Sequence, residues 1–116
     1  MKKILIIEDQ LNLIKLLKRV LEKKGYFVTA CSDEHKGLSH FKEGKYDLLA
    51  LDFNLRSISG QEIICQIKEK FPSFPILIMS GKANDFIQKN SYENICFMLK
   101  PFSISNFTKN IQQLLK

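Results

Sequence analysis

The apolar run Asp47-Leu-Leu-Ala-Leu-Asp52 ends on a carboxylate. Glu8-Asp9 closes an earlier apolar run, Ser80-Gly81 closes a later one, and Lys100 follows the last. Open α/β sheets gather their ligands at the carboxyl ends of strands, so three acids and one lysine at such ends describe a magnesium and phosphate site. Three crowded carboxylates raise one another's pKa values unless a cation neutralises them. Oxygen-only ligands with open positions suit Mg²⁺, which keeps several waters and commonly joins a few carboxylates to a phosphate. A carboxylate placed like Asp52 can take a phosphoryl group and become an aspartyl phosphate, a transfer that asks the protein mainly for positioning and charge neutralisation. Ser80 offers a hydroxyl, Gly81 leaves the approach open, and Lys100 supplies a compact cation on a flexible stem. Lys100 precedes Pro101, so its peptide bond has access to the cis form, which would aim the lysine back over the site. Helix capping would account for Glu8 and Asp9, and an ordinary strand end for Ser80. Neither explains why these positions coincide with Asp52 and Lys100.

The elements that must position these residues are legible from periodicity. Five short runs, Lys3–Ile7, Phe27–Ala30, Leu48–Leu51, Ile76–Met79 and Ile95–Leu99, are almost continuously apolar. That is expected of parallel strands covered by helices on both faces. Between them, Leu13, Leu16, Leu17, Val20 and Leu21 keep helical spacing, with Lys15, Lys18, Arg19, Glu22 and Lys23 opposite and Gly25 as the stop. A second helical pattern over 33–43 turns Leu38 and Phe41 inward, with Ser32 or Asp33 as cap and Gly44 after its end. A third starts after Gly60, turns Ile63, Ile64, Ile67 and Phe71 inward and stops at Pro72. Residues 83–90, with Phe86 and Ile87, form a fourth. A last helix follows Ser103, with Ile104, Phe107, Ile111, Leu114 and Leu115 on its apolar side. Right-handed crossovers then wind the sheet with helices on both sides, and the expected α/β fold is a flavodoxin-like (βα)5, doubly wound five-stranded parallel sheet of order 2-1-3-4-5. Its first and third strands are neighbours at the switch point, so Glu8, Asp9 and Asp52 converge.

The bulk numbers agree with one domain, residues 1–116. A hydrophobic content of 45% excludes a disordered chain. No apolar stretch approaches the ~20 residues of a membrane span, and the run before Glu8-Asp9 is too short for a signal peptide, so a cytoplasmic protein is expected. Cys31, Cys65 and Cys96 are far apart and form no C-x-x-C pair, and read as reduced, mostly core residues. The net charge of +6 is spread over both ends of the chain. No stacking aromatics interleave with the lysines in a nucleic-acid motif, so a solvated surface is the preferred reading of that charge. His35 and His40 fall on the second helical pattern, away from the strand ends, as surface residues.

Glu8-Asp9, Asp52 with Gly60 eight residues on, Ser80-Gly81 and Lys100-Pro101-Phe102 together resemble the receiver domain of bacterial two-component response regulators, of the single-domain chemotaxis type. The likeness covers essentially the whole chain. It implies that Asp52 accepts phosphate from a sensor histidine kinase or a histidine phosphotransfer protein. It implies Mg²⁺ as cofactor, held by Asp9, Asp52 and the main-chain carbonyl of Asn54, with Glu8 acting through water. Ser80 and Lys100 would contact the phosphoryl group, and Ser80 and Phe97 would form the switch. An apolar residue packed in the core is the alternative for Phe97. The chain also departs from the family. Glu8 replaces the commoner aspartate, Arg56 stands where many relatives have proline, and the stretch from Ser80 to Lys100 is shorter than usual. That shortening affects the surface relatives use for output, so a phosphorylation-dependent dimer of the usual kind is in question and a monomer is the other expectation. Asn54 and Lys82 occupy positions that tune dephosphorylation.

The resulting expectation is a phospho-accepting signalling switch rather than an enzyme, beyond slow self-phosphorylation from small donors and autodephosphorylation. Its downstream partner would be a protein, with no membrane and no direct nucleic-acid contact by this domain. The basic face Lys15, Lys18, Arg19 and Lys23 lies on the helix that relatives use to meet their phosphodonor. The run from an initial Met to the last helix favours a stand-alone protein; the alternative is the amino-terminal receiver of a longer DNA-binding regulator. A phosphatase of the haloacid dehalogenase type would need an acid at Asn54, two residues after its nucleophile. A flavin carrier would need a hydroxyl- and glycine-rich loop where Glu8-Asp9-Gln10-Leu11 stands.

Overall fold

The structure, a computed structural model, describes residues 1–53, 60–82 and 92–116. Asn54, Arg56 and the fourth helical pattern with Phe86 and Ile87 lie outside the described residues. The strands are β1 (Lys3–Ile7), β2 (Phe27–Cys31), β3 (Leu48–Asp52), β4 (Ile76–Ser80) and β5 (Ile95–Leu99). Helices α1 (Leu11–Lys23), α2 (Glu34–Glu43), α3 (Gly60–Lys70) and α4 (Ile104–Leu114) complete the described elements. All strand pairs are parallel, in the order β2-β1-β3-β4-β5. That is the order read from the sequence. β2, β3 and β4 each run one residue further than the apolar runs, to Cys31, Asp52 and Ser80, because ladder pairing continues into the next residue at each tip.

Alternation along the strands splits the core in two. Ile4, Ile6, Leu48, Ala50, Leu77 and Met79 pack with Leu17 and Leu21 of α1 and with Phe107 and Ile111 of α4. Leu5, Ile7, Leu49, Leu51, Ile76 and Ile78 pack with Leu38 of α2 and with Ile63, Ile64 and Ile67 of α3. Each such fully buried side chain contributes ~1.5–3 kcal/mol, which leaves room for a few buried charges at one pole. Helix ends follow the expected chemistry. Asp33 caps α2 by accepting from His35 and Lys36 N–H, and Ser103 caps α4 by accepting from Asn106. Gly25 takes φ +94° just beyond α1, the left-handed turn that ends a helix with least strain in glycine.

Two inward assignments are corrected. Leu16 (46% exposed) and Phe71 (52% exposed) face solvent. For Leu16 the stripe on α1 is narrower than the apolar pattern, and Leu17 and Leu21 alone are fully buried there. Phe71 lies past the end of α3, so helical spacing no longer aims it, and its ring instead meets Phe41 edge-on. Cys65 is exposed on α3, whereas Cys31 is buried and Cys96 half-buried. His35 and His40 are exposed. No helix among the described residues is long and apolar enough to cross a membrane.

Candidate functional site

The carboxyl tips of β1, β3 and β5 meet because β1 and β3 are neighbours and the main-chain N–H of Lys100 donates to Ser80 O at 2.7 Å. Carboxylate oxygens of Glu8, Asp9 and Asp52 all lie within 4.8 Å of one another. Glu8 is fully buried and Asp52 nearly so, while Asp9 is half-exposed at the mouth. Backbone pairing fixes the first of these: Glu8 N–H donates to Cys31 O at 3.0 Å, and its Oε2 accepts from Gln10 N–H at 3.1 Å. Phe53 N–H donates to Met79 O at 2.8 Å just past Asp52.

The Lys100 ammonium donates to Glu8 Oε1 at 2.7 Å and stands 3.8 Å from Asp52 Oδ1. The Lys100-Pro101 bond is cis. Burial pushes the Glu8 carboxyl above its ordinary range, and the hydrogen bond from Lys100 pulls it back part of the way. Among the described residues one ammonium, that of Lys100, lies among these three acids, so their charge exceeds its own. The donor set is oxygen only, carries that excess, and includes a carboxylate on the solvent side. Those are the requirements of a hard divalent cation such as Mg²⁺, and the residues present fit one.

Ser80 is buried at the tip of β4, where its hydroxyl donates to Lys82 O at 2.9 Å and accepts from Lys82 N–H at 3.2 Å. Phe97 is half-buried on β5 and packs against the core on the α2–α3 face. Asn54, the remaining expected ligand, lies outside the described residues. Gly60 is required by close approach. A Cβ there would stand 2.8 Å from Phe53 O and 2.9 Å from Phe53 Cα, beside Asp52 in the chain. Glu34 escaped the sequence reading. It is buried at the start of α2 and, with Asp9, Leu11 and Ser32, lines a hollow of about 280 Å³ at the mouth. The signal was present, since Glu34 follows the tip of β2 as Asp9 follows that of β1.

Known proteins share this arrangement. The profile of the response regulator receiver domain family matches residues 4–112. The chain is 32% identical over 117 residues to the alkaline phosphatase synthesis transcriptional regulatory protein PhoP of Bacillus subtilis, covering 99% of this chain and 49% of PhoP. It is 34% identical over 118 residues to the response regulator ArlR of Staphylococcus saprophyticus, covering 100% of this chain and 53% of ArlR. The chain thus spans about half the length of the curated relatives it matches. Among solved structures, the response regulator protein TrrA of Thermotoga maritima, in complex with Mg²⁺ and BeF, superposes with a TM-score of 0.85 at 26% identity. That match covers 99% of this chain and 100% of TrrA. A family match over nearly every residue, on a sheet of the same order, makes this chain a response regulator receiver domain.

Proposed function

We propose that Asp52 is a phosphoacceptor and that its esterification is the signal this domain carries. The observation behind the reading is the meeting of Glu8, Asp9 and Asp52 oxygens within 4.8 Å, with the Lys100 ammonium among them. Receiver domains of response regulators receive phosphoryl groups from histidine kinases, so the donor class is phosphohistidine on a sensor kinase or a phosphotransfer protein. An Asp52 carboxylate oxygen attacks phosphorus, the phosphorus–nitrogen bond of the donor breaks, and the leaving imidazole nitrogen takes up a proton. Lys100 balances charge on Asp52 and Glu8 before transfer and is within reach of the phosphoryl oxygens after it. Ser80 offers its hydroxyl to one of them. Mg²⁺ held by Asp9 and Asp52, and by Glu8 through water, would neutralise charge on the carboxylates and the incoming oxygens. The similar TrrA, seen with Mg²⁺ and BeF, supports that assignment.

The same reading makes Ser80 and Phe97 the switch, turning when Asp52 is esterified and changing the partner-binding surface. It leaves the domain a switch rather than an enzyme, with only slow self-phosphorylation and autodephosphorylation. The test is uptake of labelled phosphate from acetyl phosphate in MgCl₂ by the wild type and by Asp52→Asn, which keeps the shape and removes the nucleophile. Label on the wild type and none on the variant is expected; equal label on both would overturn the assignment. A second reading comes from the coverage of relatives, of which PhoP is a transcriptional regulatory protein and only 49% of its length is matched. On it, the switch controls transcription through a further segment. Reading the gene beyond the codon for Lys116 decides between them.

A further inference from the structure

The pole opposite the acidic site carries a second concavity. Between α2 and α3, at the amino ends of β3 and β4, lies a groove of about 700 Å³. Its floor is Leu38, Phe41, Ile67 and Phe74. The Phe41 and Phe74 rings meet edge-on at 5.1 Å and 87°, and the Phe41 and Phe71 rings at 6.3 Å and 70°. Phe71 leaves 52% of its surface in water while lining this groove. Half-buried Phe41 and Phe74 and exposed Phe71 thus give the groove a continuous aromatic lining. The rim is basic: exposed Lys42, Lys45 and Lys70 stand around it against the single acid Glu69.

Size and charge select the occupant. A volume of this order lies within the ~300–1,000 Å³ of small-molecule sites. The excess of two positive charges on the rim repels a cation and is left unanswered by a neutral molecule. We propose that this groove binds a small amphipathic anion, its flat aromatic or short alkyl body on the phenylalanines and its carboxylate, sulfonate or phosphate head among the rim lysines. Tyr46 forms one wall, and its ring lies over Gly44, where a Cβ would stand 2.7 Å from Tyr46 Cε2. The whole of β3 separates this wall from Asp52, so the groove and the acidic site are tested independently.

The probe is 8-anilinonaphthalene-1-sulfonate, titrated into the intact chain by fluorescence and by amide ¹H–¹⁵N shifts, with uncharged N-phenyl-1-naphthylamine as control. Saturable binding is expected, with shifts centred on Gly44, Tyr46 and Lys70 and a weaker response to the uncharged analogue. Lys70→Met should weaken the sulfonate about fivefold, the scale of one partly screened charge, without weakening the analogue. Phe71→Ala should weaken both. Unchanged circular dichroism of the two surface variants, and unchanged phosphate label on Asp52, would show that the fold and the acidic site are intact. Equal binding of the two probes, indifference to both substitutions, or shifts centred elsewhere overturns the proposal. So does self-association that Phe71→Ala abolishes without any groove shift from the sulfonate, which would make a second copy the occupant.

Discussion

Replacing Lys100 by Met removes an ammonium from the acidic pole and keeps most of the stem. The Lys100 Nζ lies 2.7 Å from Glu8 Oε1 and 3.8 Å from Asp52 Oδ1. At an effective dielectric of ~20, those distances give raw attractions of about 6 and about 4 kcal/mol. Desolvation of all three groups offsets most of that. Deleting one partner of a buried pair costs ~3–5 kcal/mol, because the other charge stays behind without compensation. The Lys100 side chain is 18% exposed, which places the loss near the lower end, about 3 kcal/mol. For a domain of this size that is on the order of 10 °C in Tm. The assay is urea and thermal unfolding with EDTA present, repeated in MgCl₂. Magnesium should stabilise the variant more than the wild type, since the pocket it enters has lost its internal cation and ligand binding to the native state adds directly to stability. The pH dependence has a fixed sign. Burial raises the Glu8 carboxyl, so the folded state holds that proton longer than the unfolded chain. Its contribution to stability is therefore present at low pH and lost as pH rises through the raised value. Losing Lys100 raises that value further, so the variant's deficit without metal should shrink toward acidic pH and widen toward neutrality. A deficit below about 0.5 kcal/mol, within the range of ordinary surface substitutions, would refute the electrostatic account of the site.

Lys68 is buried and gives its ammonium hydrogens to the carbonyls of Pro72, at 3.1 Å, of Phe74, at 2.6 Å, and of Glu93. Lys68→Met should cost about 3 kcal/mol in urea unfolding, since three carbonyls lose a charged donor; a loss under about 1 kcal/mol would mean that water replaces it. Burial also holds the Lys68 ammonium below its ordinary pKa, so the unfolded chain keeps that proton to higher pH. Wild-type stability should accordingly gain, relative to the variant, as pH rises toward the ordinary lysine value of roughly 10.4. Gly60→Ala should destabilise by about 1–3 kcal/mol, because its Cβ meets the Phe53 backbone, and should slow label uptake at Asp52. Unchanged uptake would uncouple that contact from the site.

Much of this molecule can be read from the chain alone. Continuous apolar runs separated by helical periodicity leave parallel strands covered on both faces as the economical solution, and crossover handedness then puts helices on both sides of the sheet. Polar residues at the tips of such runs must emerge at one pole, so the chain alone groups Glu8, Asp9, Asp52, Ser80 and Lys100. The tertiary structure decided which of them touch. The Lys100–Glu8 bond joins residues 92 apart, and no local pattern distinguishes it from a bond to Asp52. Periodicity likewise reports which side of a helix a residue is on, and it says nothing of the partners that bury Lys68 or of where the helix before Phe71 ends. Lys68 is buried because the carbonyls of Pro72 and Phe74, just beyond its own helix, and of Glu93, 25 residues on, close around it, whereas Phe71 is exposed because the helix has already ended. Local pattern sets faces and tips; the burial of a charge depends on partners that only the assembled sheet brings near.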